Sequence, residues 1–425
     1  MRLSQARRFR GRFTLPGDKS LSHRLAIMGA LAHGESVFTN FSSADDCAAT
    51  LRCLEALGVE SRRKDRRVEV VGRGAESLKA AAGPLDAANS GSTLRMLAGV
   101  VAGRPFRTTI TGDASLRRRP VERVAEPLRR MGAHTSSSDG KPPLVIDGGP
   151  LKAMHWAMTT PSAQVKSAVL LAALQAEGRT TVVEPAATRD HTERLLPAFD
   201  VPVEVQGSAV SVSGGARLHP VTLDVPGDVS SAAFLVVAGL VLPEAFVRID
   251  KVLLNPRRTA FLDVLRRMGA QIETGLDTTD PEPVGWIEAR ASQLGSAVVT
   301  AAEVPALIDE VPILAVAAAL GDGELVVRDA AELRVKESDR IATLAEGLRR
   351  MGGAVDEHPD GLTIHGRGRL TGATVRSHGD HRIAMAMAVA ALAANGETEI
   401  EDAGCIAVSF PEFPSLLEHG RKAER

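Results

Sequence analysis

Basic side chains recur where apolar stretches of this sequence begin. Lys19 and Arg24 flank one such start, Arg95 follows a second, and Arg382 stands at a later one. Two more basic runs lie between them, Leu116-Arg117-Arg118-Arg119-Pro120 and Leu333-Arg334-Val335-Lys336-Glu337-Ser338-Asp339-Arg340. Any one of these alone reads as a solvated charge run. Their recurrence beside stretches that must be buried points instead to a site. A helix start presents unsatisfied N–H groups and the positive end of its dipole, which suits an anion. Arginine adds bidentate contacts to carboxylate and phosphate, and a lysine among cations can relay protons if its pKa falls. A merely structural cap would use Ser, Thr, Asp or Asn alone. The pattern therefore fits small polyanions held at helix heads.

The elements that must position these residues repeat along the chain. LRRMG occurs at 128–132, 265–269 and 348–352, with a looser LEALG at 54–58. Each puts Gly after an apolar-periodic segment and before a β-prone run, which predicts a helix C-cap feeding a strand. A degenerate copy at 195–201 has Asp200 in the glycine's place, and a last copy ends at Gly420. Successive spacings are then 74, 68, 69, 83 and 68 residues, so six similar units span the chain. Interleaved with them, polar heads precede Ala-rich apolar stretches near Asp18, Ser90, Gln164, Asp228, Asp309 and Asp380. Helices apolar nearly all round are buried. Pro16-Gly17-Asp18 and Pro226-Gly227-Asp228 lie 210 residues apart, nearly half the chain. The prediction is two similar α/β domains of three units, each unit owning one buried and one amphipathic helix. Physics alone stops at a two-domain enzyme that binds small polyanions between its halves.

Composition removes other classes. The 425 residues are 44% hydrophobic and 24% charged, as in a globular chain of two or three domains. A formal net charge of −1, 3% aromatic residues and no Tyr argue against nucleic-acid and membrane-surface partners. Only nine of the 51 basic residues are lysines. Cys47, Cys53 and Cys405 form no CxxC and are expected to be buried free thiols. The longest uncharged apolar run, 230–243, is too short for a membrane span, and no secretory pattern follows the Arg-rich N-terminus. A cytoplasmic protein is expected. The eleven His residues show no metal-ligand spacing, so no metal is expected, and His191 and His381 read as structural neighbours of the site. Trp156 and Trp286 read as packing residues.

Eight motifs, taken in order, resemble the 5-enolpyruvylshikimate-3-phosphate synthase family of enolpyruvyl transferases. They are GDKSLSHR (17–24), NSGSTLR (89–95), LRRRP (116–120), PSAQVKSA (161–168), RDHTERLL (189–196), VPGDVSSAAF (225–234), LRVKESDRI (333–341) and GDHRIAMA (379–386). The resemblance implies an α/β fold of two domains, each of three βαβαββ units around buried helices. Residues 1–18 with 227–425 would form one domain and 19–226 the other, with the active site in the cleft between them. It implies transfer of the enolpyruvyl group of phosphoenolpyruvate to the 5-hydroxyl of shikimate 3-phosphate, through a tetrahedral adduct, with release of phosphate. By the same resemblance Lys19, Ser20, Arg24, Ser162, Ala163, Gln164, Arg189, Asp309 and Lys336 would hold shikimate 3-phosphate. Lys19, Asn89, Gly91, Arg119, Gln164, Arg340 and Arg382 would hold phosphoenolpyruvate. Asp309 would take the hydroxyl proton, with Lys336 assisting at that hydroxyl, Glu337 would protonate the methylene carbon, and Lys19 would be the fourth catalytic residue. No cofactor is needed, because phosphoenolpyruvate carries its own leaving group, and a monomer is expected.

The implied set suits the chemistry. Two phosphates and two carboxylates bring about five or six negative charges. Lys19, Arg24, Arg119, Arg189, Lys336, Arg340 and Arg382 oppose them, and Asp309 and Glu337 subtract two. Some family members carry a Lys where this chain has Val408, before Ser409-Phe410-Pro411, so one phosphoenolpyruvate contact is missing or supplied otherwise. The third head reads Ser162-Ala163-Gln164, leaving Ala163 only its backbone to offer. Both features resemble glyphosate-tolerant members, whereas Gly91 is the residue of sensitive ones. The related UDP-N-acetylglucosamine enolpyruvyl transferases have a reactive Cys five residues before their Arg-Pro. Here that position is Ala114. A binding scaffold that kept the fold without catalysis would not need Lys19, Asp309, Lys336, Glu337 and Arg382 together.

Overall fold

The structure is a computed structural model and describes residues 1–422. The chain divides into two compact units, Gly17–Val225 and Met1–Pro16 with Pro226–Arg425. The joints lie one or two residues before those expected. The reason is local: the Asp18 carboxylate accepts from the Leu21 N–H at 2.9 Å and so belongs with the helix it caps. At the second joint the Val225 N–H donates to the Thr39 carbonyl at 2.9 Å and stays with the first strands.

Within Gly17–Val225 one motif occurs three times. Its clearest copy is strand Leu85–Asp86, helix Gly91–Ala102, strand Arg107–Thr111, helix Glu122–Met131 and the hairpin His134–Ser138 with Lys141–Asp147. The first two strands pair in parallel and the others antiparallel. A second copy uses strands His155–Ala157, Arg179–Val183, Val203–Gln206 and Ala209–Ser213. The third borrows its first strand, Thr222–Asp224, from the far end of the unit, parallel to Val37–Thr39. Each is βαβαββ in space.

The other unit repeats the sheet twice more, with Arg10–Thr14 parallel to Phe246–Asp250 and Ala297–Val299 parallel to Leu325–Val327. Its third sheet departs from expectation. It has three strands, Thr374–Arg376, Glu397–Glu401 and Arg2–Ser4, the last antiparallel. After Glu401 the chain makes a short 3-10 turn, Ala403–Val408, then the helix Phe413–Lys422 in place of a hairpin. The N-terminal strand covers the edge that the hairpin would have covered.

Six helices form the cores: Lys19–Leu31, Gly91–Ala102, Ala163–Ala173, Val229–Val241, Val311–Ala319 and His381–Ala393. Nearly every residue in them is buried, and Ala, Val and Leu fill the space that aromatics fill elsewhere. Small residues allow close approach: a Cβ on Gly99 would lie 2.0 Å from the Ala168 carbonyl oxygen of the neighbouring helix. The amphipathic helices stop as predicted at Gly132, Gly269 and Gly352, each at positive φ, and Asp200 takes the same conformation at φ 63°. Gly420 does not. It lies inside the last helix, where its missing side chain admits the Phe9 ring, whose nearest atom is 2.4 Å from an added Cβ.

Candidate active site

Five of the six buried helices open on a side-chain cap. Asp18, Ser90, Ser162, Asp228 and Asp380 each accept from a backbone N–H in the first turn. The fifth helix in chain order, Val311–Ala319, has no such cap and carries Pro312 in its first turn. Asp309, just before it, turns its carboxylate to the arginines instead.

In the unit Gly17–Val225 the heads are laced together by the predicted residues and by some that were not predicted. Lys19 Nζ donates to Asp46 Oδ2 at 2.7 Å. Arg24, buried, donates from Nε to Thr192 Oγ1 at 2.8 Å, from Nη2 to Ser167 Oγ at 2.7 Å and from Nη1 to the Ser20 carbonyl at 2.9 Å. Asn89 Oδ1 accepts from Arg119 Nη2 at 2.7 Å, while its amide donates to Asp113 at 2.7 Å. Gln164 Oε1 accepts from Arg95 Nη1 at 2.9 Å and its Nε2 donates to Ser92 Oγ at 2.9 Å. Gly91 lies beside this pair, its absent Cβ 2.5 Å from Arg95 Nη1. Ser162 and Ala163 begin the third helix. Arg189 is half-buried, in the loop before the helix His191–Leu195.

In the other unit Arg340 is the hub. It is 2% exposed and donates to Asp380 Oδ2 at 2.8 Å, Asp309 Oδ1 at 3.1 Å and Glu337 Oε2 at 2.5 Å. Burial alone would lower its pKa, but the carboxylates of Asp380, Glu337 and Asp309 outweigh that and hold it above the ordinary arginine value. Arg382 Nη1 donates to the Asp309 carbonyl at 3.1 Å and lies 3.6 Å from Glu310. Burial pushes the Lys336 ammonium below the usual lysine range, against the pull of Asp309. Of the cysteines, Cys47 and Cys53 are buried, and burial raises both thiols, Cys53 to about 12. Cys405, expected to be buried, is half-buried on the 3-10 turn. No group of three or more His, Cys, Asp or Glu among the described residues could hold a metal ion. No described helix is long and apolar enough to cross a membrane.

The unpredicted members are Asp46, Asp113, Ser167, Thr192 and Glu310. Arg95 and Asp380 were singled out at helix heads, but without the partners they find here. Asp46, in an acidic pair that opens the helix Asp45–Ala56, carried only an ordinary helix-start signal.

Repeated βαβαββ sheets around buried helices, with cations gathered at the helix heads, define the class of two-unit α/β enolpyruvyl transferases. The family model "EPSP synthase (3-phosphoshikimate 1-carboxyvinyltransferase)" matches residues 3–417, and the chain belongs to that family. It is 49% identical over 421 residues to the 3-phosphoshikimate 1-carboxyvinyltransferase of Desulforudis audaxviator, covering 98% of each chain. To that of Shouchella clausii it is 46% identical over 411 residues, covering 96% of each. The solved EPSP synthase of Acinetobacter baumannii superposes with a TM-score of 0.87 at 41% identity, over 98% of this chain and 97% of that one. This chain is an enzyme of the shikimate pathway that transfers the enolpyruvyl group of phosphoenolpyruvate to shikimate 3-phosphate and releases phosphate.

Proposed function

We propose that the helix-head clusters of both units act on one pair of substrates, with each residue in the role that the family resemblance assigns. Ser20, Arg24, Ser162, the Ala163 backbone, Gln164 and Arg189 hold shikimate 3-phosphate. Lys19, Asn89, Gly91, Arg119, Gln164, Arg340 and Arg382 hold phosphoenolpyruvate. Asp309 takes the proton of the 5-hydroxyl, assisted by Lys336, as that oxygen attacks C2 of phosphoenolpyruvate. Glu337 gives a proton to C3, which completes the tetrahedral adduct. The C2–O bond to phosphate then breaks, Glu337 takes a proton back from C3, and the hydroxyl proton leaves with the phosphate. Lys19, with a partner at 2.7 Å, is suited to carry charge or proton at the bridging oxygen.

The observation that supports this reading most is that one guanidinium, Arg340, holds both the intended base and the intended acid. Arg340 has five N–H groups, and three bonds to carboxylates leave part of the fork for a substrate anion. We further propose a cytoplasmic monomer without nucleic-acid partners; sedimentation of the purified protein checks the monomer. The test of the reaction is phosphate release with shikimate 3-phosphate and phosphoenolpyruvate, repeated with UDP-N-acetylglucosamine as acceptor. Release is expected with the first acceptor only, and release with the second alone overturns the reading.

A further inference from the structure

Lys166, fully buried in the helix Ala163–Ala173, has no part in the chemistry proposed above. Its ammonium lies 2.9 Å from Glu184 Oε2 and 2.5 Å from Glu193 Oε1, and both carboxylates are themselves buried. Such a set is an unusual choice for stability, because replacing buried ions with neutral groups of similar shape is often neutral or stabilising.

Its placement suggests another purpose. Glu184 and Glu193 bracket the segment that carries Arg189, so one ammonium ties down both ends. Inside that segment Glu184 Oε1 accepts from the Thr188 N–H at 3.2 Å and from the Thr188 hydroxyl, one residue before Arg189. Next to Glu193, Thr192 accepts from Arg24 Nε at 2.8 Å. Next to Lys166, Ser167 bonds Thr192 at 2.7 Å, accepts from Arg24 at 2.7 Å and donates to the Ala163 carbonyl at 2.8 Å. The segment has little apolar anchorage of its own, since Pro185 and Ala187 are exposed and Ala186 is half-buried.

We propose that Lys166, Glu184 and Glu193 are positioning residues that lock Arg189, Arg24 and the Ser162-Ala163-Gln164 helix head into one clamp for shikimate 3-phosphate. The inference rests on the reading that those residues hold this substrate. It goes beyond that reading by assigning a function to three side chains that touch no reacting atom.

The test is the neutral, near-isosteric variant K166M/E184Q/E193Q, which keeps the shape and removes the charges. Its circular dichroism should match the native protein. Its KM for shikimate 3-phosphate, and the Kd from calorimetric titration with that substrate alone, should rise on the order of tenfold through loss of alignment. Its KM for phosphoenolpyruvate should rise much less, because Gln164 is the one member of the clamp assigned to that substrate. Native affinity for shikimate 3-phosphate, or an equal rise in both KM values, overturns the proposal. Should the triple variant not fold, Glu184→Gln, which keeps the Lys166–Glu193 pair, gives the same readout: shikimate 3-phosphate KM must rise severalfold. Controls separate the failures. No phosphate release by the native enzyme sinks the assigned reaction. An unchanged shikimate 3-phosphate KM in Arg189→Ala and Arg24→Ala sinks the assigned subsite. If the reaction and both arginine effects hold while the triple variant is unaltered, only the positioning role falls.

Discussion

At the residue scale, the proposed roles make substrate binding an exchange of partners. Lys19 lies against Asp46, and Arg340 against three carboxylates, because buried charge is costly unless it is paired. In the proposed roles the substrates' phosphates and carboxylates compete with the protein's own acids. Lys19→Met should nearly abolish turnover while the protein still folds, though less stably, since Asp46 is 6% exposed and loses its cation. Adding Asp46→Asn should restore melting temperature without restoring turnover. Such a split is what a double-variant cycle separates, and a fully active K19M enzyme refutes the role of Lys19. Gly91 sets a second test. Its added Cβ would sit 2.5 Å from Arg95 Nη1, so the guanidinium must move and loosen the 2.9 Å bond to Gln164. The native enzyme should be inhibited by glyphosate in competition with phosphoenolpyruvate. Gly91→Ala should raise both the inhibition constant and the phosphoenolpyruvate KM. Unchanged turnover of the native enzyme with inhibitor far above phosphoenolpyruvate counts against this.

At the element scale, the buried helices were legible because a buried helix start demands a polar cap, and five of the six heads obey. The exception is informative, since at Asp309 the carboxylate is diverted from capping to Arg340. Side-chain partners were not legible. Arg24 meets Thr192 168 residues away, and Arg2–Ser4 pairs with Glu397–Glu399 across nearly the whole chain. No local spacing encodes such meetings. Gly420 misled for a related reason, because a glycine after an apolar helix serves a C-cap or a close approach equally well, and only Phe9 decides. Lys166 was hidden inside a motif read for its head. Its partner Glu193 offers a pH test, with Lys166, Glu184 and Asp190 as the charged groups around it. Burial, partly offset by Lys166, raises the Glu193 pKa above its ordinary 4.5. A raised carboxyl contributes stability below its unfolded pKa and loses it as pH rises through the folded value. Glu193→Gln, which mimics the protonated form, should therefore melt above the native enzyme at pH 8. The gap should close as the pH falls toward 4.5. A gap that widens on acidification contradicts the assignment.

At the scale of the whole molecule, a net charge of −1 hides an uneven distribution. Many surface arginines are cancelled locally, as in Arg107 with Asp147 and Arg179 with Glu204. In each unit the cations named by the motifs meet further carboxylates: Asp46 on Lys19 and Asp113 beside Asn89 in Gly17–Val225, and Glu310 and Asp380 beside Arg382 and Arg340 in the other. Around Arg340 and Arg382 the carboxylates of Asp309, Glu310, Glu337 and Asp380 outnumber the cations. On the proposed roles, Lys19, Arg24, Arg95, Arg119 and Arg189, all in the unit Gly17–Val225, should carry most of the attraction for incoming anions. Screening should lower kcat/KM severalfold as ionic strength rises from about 10 to about 500 mM, as the Debye length shrinks from about 30 Å to a few ångströms. The loss should fall on KM, leaving kcat at saturation nearly unchanged. Arg189→Ala should both reduce kcat/KM and flatten its salt dependence. A native profile flat in salt, or a slope as steep in the variant as in the native enzyme, removes Arg189 from the steering charge.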